Sequence, residues 1–125
     1  MQIPRDAMLL RIFIGEDDKC QGRPLYEAIV LKAREMHMAG ATILRGPIGF
    51  GHSSRLHTTR ILRLSEDLPL VIEIVDSQEK IEGFLPALDE LIGSGLVTLE
   101  KVQVLQYGTD GTLAISKPSP APLKP

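Results

Sequence analysis

Leu70-Val71-Ile72-Glu73-Ile74-Val75 is the stretch that decides the fold. β-Branched residues dominate it, and its alternation puts Ile72 and Ile74 on one side and Val71, Glu73 and Val75 on the other, as in a strand apolar on both faces. Ser77 follows as a plausible N-cap. Ile81, Phe84, Leu85, Leu88, Leu91 and Ile92 then recur at helical spacing, with Glu79 near the positive end of the helix. Pro86 is expected to kink this helix or to open a second segment. Gly93-Ser94-Gly95 ends it, and residues 96–105 read as a final strand.

The same pattern stands upstream. Met8-Leu9-Leu10-Arg11-Ile12-Phe13-Ile14 is a strand bounded by Gly15 and the acidic run Glu16-Asp17-Asp18. Pro24 suits the first turn of a helix carrying Leu25, Ile29, Ala33 and Met36, and Gly40 is the expected C-cap. Ala41-Thr42-Ile43-Leu44 is a second strand that enters a glycine-rich bend, and residues 58–64 look like the return of a long hairpin. Two strand–helix–strand halves make an α+β fold: a ferredoxin-like βαββαβ sandwich with an antiparallel sheet and two helices on one face. Two helices leave the other face bare. Because that face is also apolar, a second subunit is expected to cover it.

Arg11 and Glu73 are lone charges among apolar neighbours on strands that are adjacent in this topology, so they are expected to pair. The alternative is that both reach the rim of the sheet.

Size and charge narrow the function. The chain has 125 residues, enough for one compact domain, and a net charge of −2. Such a charge supplies no global field for nucleic acid or an anionic membrane. One cysteine, Cys20, cannot form an internal disulfide, and no apolar run is long enough for a span, so a cytoplasmic protein is expected. The domain is placed at residues 1–108, followed by a Pro-rich flexible tail over 109–125.

Arg45-Gly46-Pro47-Ile48-Gly49-Phe50-Gly51-His52-Ser53-Ser54-Arg55 is the segment richest in ligand chemistry. Glycines expose backbone N–H groups, so a glycine bend flanked by Arg45 and Arg55 is a candidate anion cradle. Equally, Gly46, Gly49 and Gly51 can simply shape a hairpin. Together with Arg11-Ile12-Phe13-Ile14-Gly15-Glu16-Asp17-Asp18, Pro24-Leu25-Tyr26-Glu27-Ala28-Ile29 and Leu64-Ser65-Glu66-Asp67-Leu68-Pro69, this segment resembles the PII-like signalling proteins, in particular their uncharacterised single-domain relatives, over residues 8 to 107.

The resemblance implies a homotrimer with inward-facing sheets, an adenine-nucleotide site (AMP, ADP or ATP, with or without Mg²⁺) in each intersubunit cleft, and signalling through a T-loop at residues 46–60 that engages a transporter or enzyme. It assigns Gly49-Phe50-Gly51 to the base of the T-loop, Gly93-Ser94-Gly95 to a phosphate-cradling B-loop, and Lys101 to a phosphate-binding lysine. Arg45, Gly46, Ser53, Ser54 and Arg55 complete the expected site. The B-loop is shortened, and no tyrosine stands between Gly51 and Arg60 to match the residue modified in some PII proteins.

Two other roles remain open: a trimeric adaptor working without a ligand, and a divalent-metal protein like the CutA proteins. His52, His57, Cys20 and His37 lack the spacing of a zinc site, and no metal site is assigned. Glu16-Asp17-Asp18 could hold Mg²⁺ beside phosphates, but without a nucleophile or a recognisable triad no catalysis is expected.

Overall fold

The computed structural model describes residues 3–47, 49 and 68–111. Four strands form the main sheet: β1 (Asp6–Gly15), β4 (Thr42–Arg45), β5 (Pro69–Asp76) and β6 (Leu96–Gln103). Their spatial order is β4-β5-β1-β6, and every neighbouring pair is antiparallel. With α1 (Leu25–Glu35) and α2 (Gln78–Leu91) between them in sequence, this is the ferredoxin-like topology. Two small hairpins decorate it, β2 (Lys19–Cys20) with β3 (Arg23–Pro24) and β7 (Gln106–Tyr107) with β8 (Asp110–Gly111).

The core lies between one sheet face and the helices. Leu10, Ile12 and Ile14 of β1 meet Leu70, Ile72 and Ile74 of β5, and over them pack Leu25, Ile29 and Ala33 of α1 and Ile81, Phe84 and Leu88 of α2. The period of two on the strands and of 3.6 on the helices thus converge on one apolar layer. Burial of an aliphatic or aromatic side chain of this size stabilises by about 1.5–3 kcal/mol.

Two local expectations are corrected and a third is narrowed. α1 ends at Glu35 with Met36 as its C-cap, and the left-handed residue that closes it is His37, not Gly40: His37 has φ 59°, its N–H donates to Arg34 O at 3.0 Å, and Met38 N–H donates to Ala33 O at 3.0 Å. This is a Schellman closure, with buried Met38 and Ala33 supplying its apolar contact. Lys80 Nζ also donates to Met36 O at 3.1 Å, placing a cation at the negative end of α1. Pro24 stands at the N-cap of α1 in an extended conformation, so the helix starts one residue later. α2 runs through Pro86 as a single helix, its start capped by Ser77 Oγ, which accepts from Lys80 N–H at 3.1 Å.

Asp76, only 2% exposed, ties the halves together by accepting from Ala39 N–H at 2.8 Å and from Ser77 N–H at 2.7 Å. The β2–β3 hairpin turns on Gln21 (φ 52°) and Gly22 (φ 80°), positive φ at both central residues as a type I′ turn requires.

The opposite sheet face is arranged in rows across the four strands. One row is wholly apolar: Leu44, Val71, Phe13 and Leu96. The next is polar: Thr42, Glu73, Arg11 and Thr98. Beyond it, the chain after β6 turns back over the sheet, where Val104 N–H donates to Arg5 O at 2.7 Å and Tyr107 Oη donates to Ala39 O at 2.6 Å. This strap roofs a cavity of about 560 Å³ lined by Thr42, Glu73, Val75, Val102, Leu105 and Tyr107. Ala7 and Leu9 are buried at that end, whereas Leu44 and Leu96 at the other end are 50% and 56% exposed.

Candidate functional site

β4 delivers Arg45 to the end of the sheet where β1 finishes, and the register sets Arg45 opposite Leu70 and Gly15 opposite Pro69. The Arg45 guanidinium pairs with the Glu16 carboxylate. Glu16 is held by its own N–H, which donates to Leu68 O at 2.8 Å, while Asp18 closes the turn by accepting from Gly15 N–H at 2.9 Å. Glu16 and Asp18 of the acidic run are therefore engaged in structure. Among the described residues, no three His, Cys, Asp or Glu side chains gather as metal ligands.

Gly46 departs from the role expected of it. Its N–H donates to Pro69 O at 2.8 Å, continuing the β4–β5 ladder, so this donor is already used by the fold. Gly49 has φ 157°, and a Cβ there would lie 3.2 Å from Pro69 Cγ, so the backbone passes close over that ring. Phe50, Gly51, Ser53, Ser54 and Arg55, with His52, His57 and the expected strand at 58–64, lie outside the described residues.

Among the described glycines, Gly95 is the most constrained. It has φ 148°, and a Cβ would stand 2.8 Å from Phe13 O, 3.2 Å from Ile92 Cδ1 and 3.3 Å from Ile14 Cγ2. At Gly93 a Cβ would meet nothing within 4 Å. Gly93-Ser94-Gly95 thus sits at the same end of the sheet as Arg45, Gly46 and Gly49, but on the other edge. Three strand spacings separate the two edges, about 14 Å. Lys101 is not brought to this end. It stands opposite Met8, five residues further along β6 and about 17 Å away, beside a cavity of about 470 Å³ that also involves Asp6 and Gln78.

On the uncovered face, the pairing expected of Arg11 and Glu73 forms. Arg11 Nε donates to Glu73 Oε2 at 2.9 Å, and Arg11 Nη1 donates to Glu100 Oε1 at 3.0 Å, a partner the sequence did not reveal. The hydrogen bond to Glu73 raises the Arg11 guanidinium above its ordinary pKa. Both carboxylates share one cation beside the apolar row Leu44, Val71, Phe13 and Leu96.

Comparison with known proteins places the chain. The profile of DUF190, a family described as "Uncharacterized ACR", matches residues 7–104, spanning β1 to the end of β6. The chain belongs to the DUF190 family. Among its DUF190 relatives, a UPF0166 protein of Aquifex aeolicus (strain VF5) is 39% identical over 99 residues, covering 78% of this chain and 91% of that one. A UPF0166 protein of Methanocaldococcus jannaschii is 35% identical over 104 residues, covering 82% and 95%.

Two solved structures of PII-like proteins share this fold. A PII-like protein of Thermus thermophilus is similar with a TM-score of 0.56 at 18% identity, over 82% of this chain and 93% of that one. CPII of Thiomonas intermedia K12, a nitrogen regulatory PII-like protein solved bound to ADP, AMP and bicarbonate, is similar with a TM-score of 0.50 at 20% identity, over 79% and 88%. Among the described residues, no helix is long and apolar enough to cross a membrane.

Proposed function

We propose that this DUF190 protein is a non-catalytic regulator that binds an adenine nucleotide in the clefts between the subunits of a homotrimer and signals through the 46–60 hairpin. One observation carries the reading. The two glycine loops, Gly46 to Gly49 and Gly93 to Gly95, lie at one end of the sheet but on opposite edges, so a single chain holds two separated halves of a cradle. Bringing the edges of two chains together joins the halves. The nucleotides bound to the Thiomonas protein support the choice of ligand.

In this reading Arg45 supplies the cation for phosphate, and Gly49, Phe50, Gly51, Ser53, Ser54 and Arg55 supply donors from the hairpin. Gly93 and Gly95 let the backbone of the neighbouring subunit approach. Gly46 serves as the hinge at which the hairpin leaves the sheet, since its N–H is committed to Pro69. Lys101, about 17 Å along β6 from the Gly93–Gly95 loop, is given no part in the site. Nucleotide binding competes with Glu16 for Arg45 and thereby shifts the hairpin between two populations, one of which grips a transporter or enzyme target.

Calorimetric titration with AMP, ADP and ATP, with and without Mg²⁺, tests this alongside a light-scattering mass. A micromolar dissociation constant, about 8 kcal/mol of binding free energy, is expected. Silence across the panel from a folded protein overturns the reading.

A further inference from the structure

The strap that follows β6 closes a cavity of about 560 Å³ against the sheet, a volume within the range of small-molecule sites. It lies at the end of the sheet away from the glycine loops. Val75, on its floor, stands six residues along β5 from Pro69, about 20 Å from the ring that Gly49 passes over. Its described lining belongs to one chain, so the site does not depend on the trimeric reading.

Ala39, Ala41, Val75, Val102 and Leu105 make most of the wall aliphatic. Among the described residues that line it, Glu73 is the one that carries a charge. Its Oε2 accepts from Arg11 Nε at 2.9 Å, but Arg11 also donates to Glu100 Oε1 at 3.0 Å. One guanidinium therefore serves two carboxylates, and the group keeps a surplus negative charge. The roof shields that charge in part, since the Glu73 side chain is 31% exposed. A carboxylate so placed gains most from a partner that brings a positive charge to it and apolar surface to the walls. Thr42, opposite Glu73 in the β4–β5 register, adds a hydroxyl beside it. The roof is latched by Tyr107 Oη, which donates to Ala39 O at 2.6 Å.

We propose that this cavity binds a small organic cation, a primary ammonium on a short apolar body, with its head on Glu73 and Thr42 and its body against Val75, Val102 and Leu105. An anion fits poorly, because it would meet Glu73 with no cation among the described lining groups to offset the repulsion. A neutral apolar molecule fills the walls but leaves Glu73 to its shared guanidinium. The cavity and the nucleotide cleft proposed above therefore take ligands of opposite charge at opposite ends of the sheet.

Three probes with one body and different heads test this on the full chain: phenethylammonium, phenethyl alcohol and phenylpropionate. Backbone amide shifts followed by NMR locate and rank their binding. The ammonium is expected to move amides of Ala39 to Thr42, Glu73 to Val75 and Val102 to Tyr107. It should bind about tenfold tighter than the alcohol, the scale of a hydrogen bond to a charged group, and phenylpropionate should move none of these amides. Glu73→Gln should remove the preference for the ammonium while the alcohol still binds. Val102→Phe, which places a ring in the cavity, should abolish binding of both.

Equal affinity for the three heads overturns the proposal. So does silence with all three, a response to the ammonium confined to amides outside the cavity, or an ammonium preference that survives Glu73→Gln. Where a variant does not fold, the ranking of the three probes on the unmodified protein decides alone. Failure of the nucleotide titrations leaves this site standing, because its probes and its responding amides are different ones.

Discussion

Arg11 and Glu73 stand directly opposite each other on the two central strands, joined by a 2.9 Å hydrogen bond on the sheet face turned away from the helices. In the isolated chain both remain partly exposed, so the pair adds little to folding. Its consequence falls on assembly. Glu73→Leu leaves Arg11 to the more exposed Glu100, and the association constant is expected to drop roughly tenfold or more, because covering an undercompensated charge is costly. Light scattering over a dilution series reads this, and a mass curve superimposable on the parent curve refutes it.

Gly95→Ala is expected to destabilise by about 1–3 kcal/mol, since the residue sits at positive φ and a Cβ would collide with Phe13 O. Gly93→Ala, two residues away with open space around it, should change stability by no more than about 0.5 kcal/mol. Urea denaturation of the two variants separates a required glycine from a permissive one, and equal midpoints would contradict the geometry.

Tyr107→Phe removes the hydroxyl that donates to Ala39 O and should cost about 0.5–1.5 kcal/mol. The strap it anchors roofs the cavity over Val75 and Val102. Faster exchange of the Val104 amide, with the β1–β5 amides unchanged, is the expected signature. An unchanged Val104 amide would assign the anchoring to the backbone bond with Arg5.

Glu16→Gln frees Arg45 from its carboxylate partner. If Arg45 meets phosphate, affinity for ADP should rise roughly two- to fivefold, the scale of an exposed ion pair. Arg45→Ala should lower it. Calorimetry on both variants decides, and opposite signs would remove Arg45 from the site.

The sequence disclosed what depends on local pattern. β5 was legible because Ile72 and Ile74 alternate with Val71, Glu73 and Val75, and the Arg11–Glu73 pair because each is the lone charge in an apolar strand. Glu100 was missed, since only the β1–β6 register brings it diagonally to Arg11. The end of α1 was misplaced because Gly40 is the obvious left-handed residue, yet the Schellman bonds form three residues earlier at His37. The β2–β3 hairpin escaped because Gln-Gly is a weak signal for a type I′ turn. Gly46 read as a free donor because its engagement with Pro69 O depends on how β4 aligns with β5. The strap depends on a contact between residues 68 positions apart, which no local pattern encodes.

The order of the strands also governs when the fold can be finished. β1 is an inner strand made near the start of the chain, yet one of its neighbours, β6, is made near the end, and their register sets Asp6 against Gln103. On the ribosome, a nascent chain that has released β1, α1, β4, β5 and α2 still holds β1 with one flank bare, and closing that flank joins residues far apart in sequence. Until β6 emerges, the row of Leu9, Arg11 and Phe13 and the backbone beside it are open to whatever chaperone or strand meets them first.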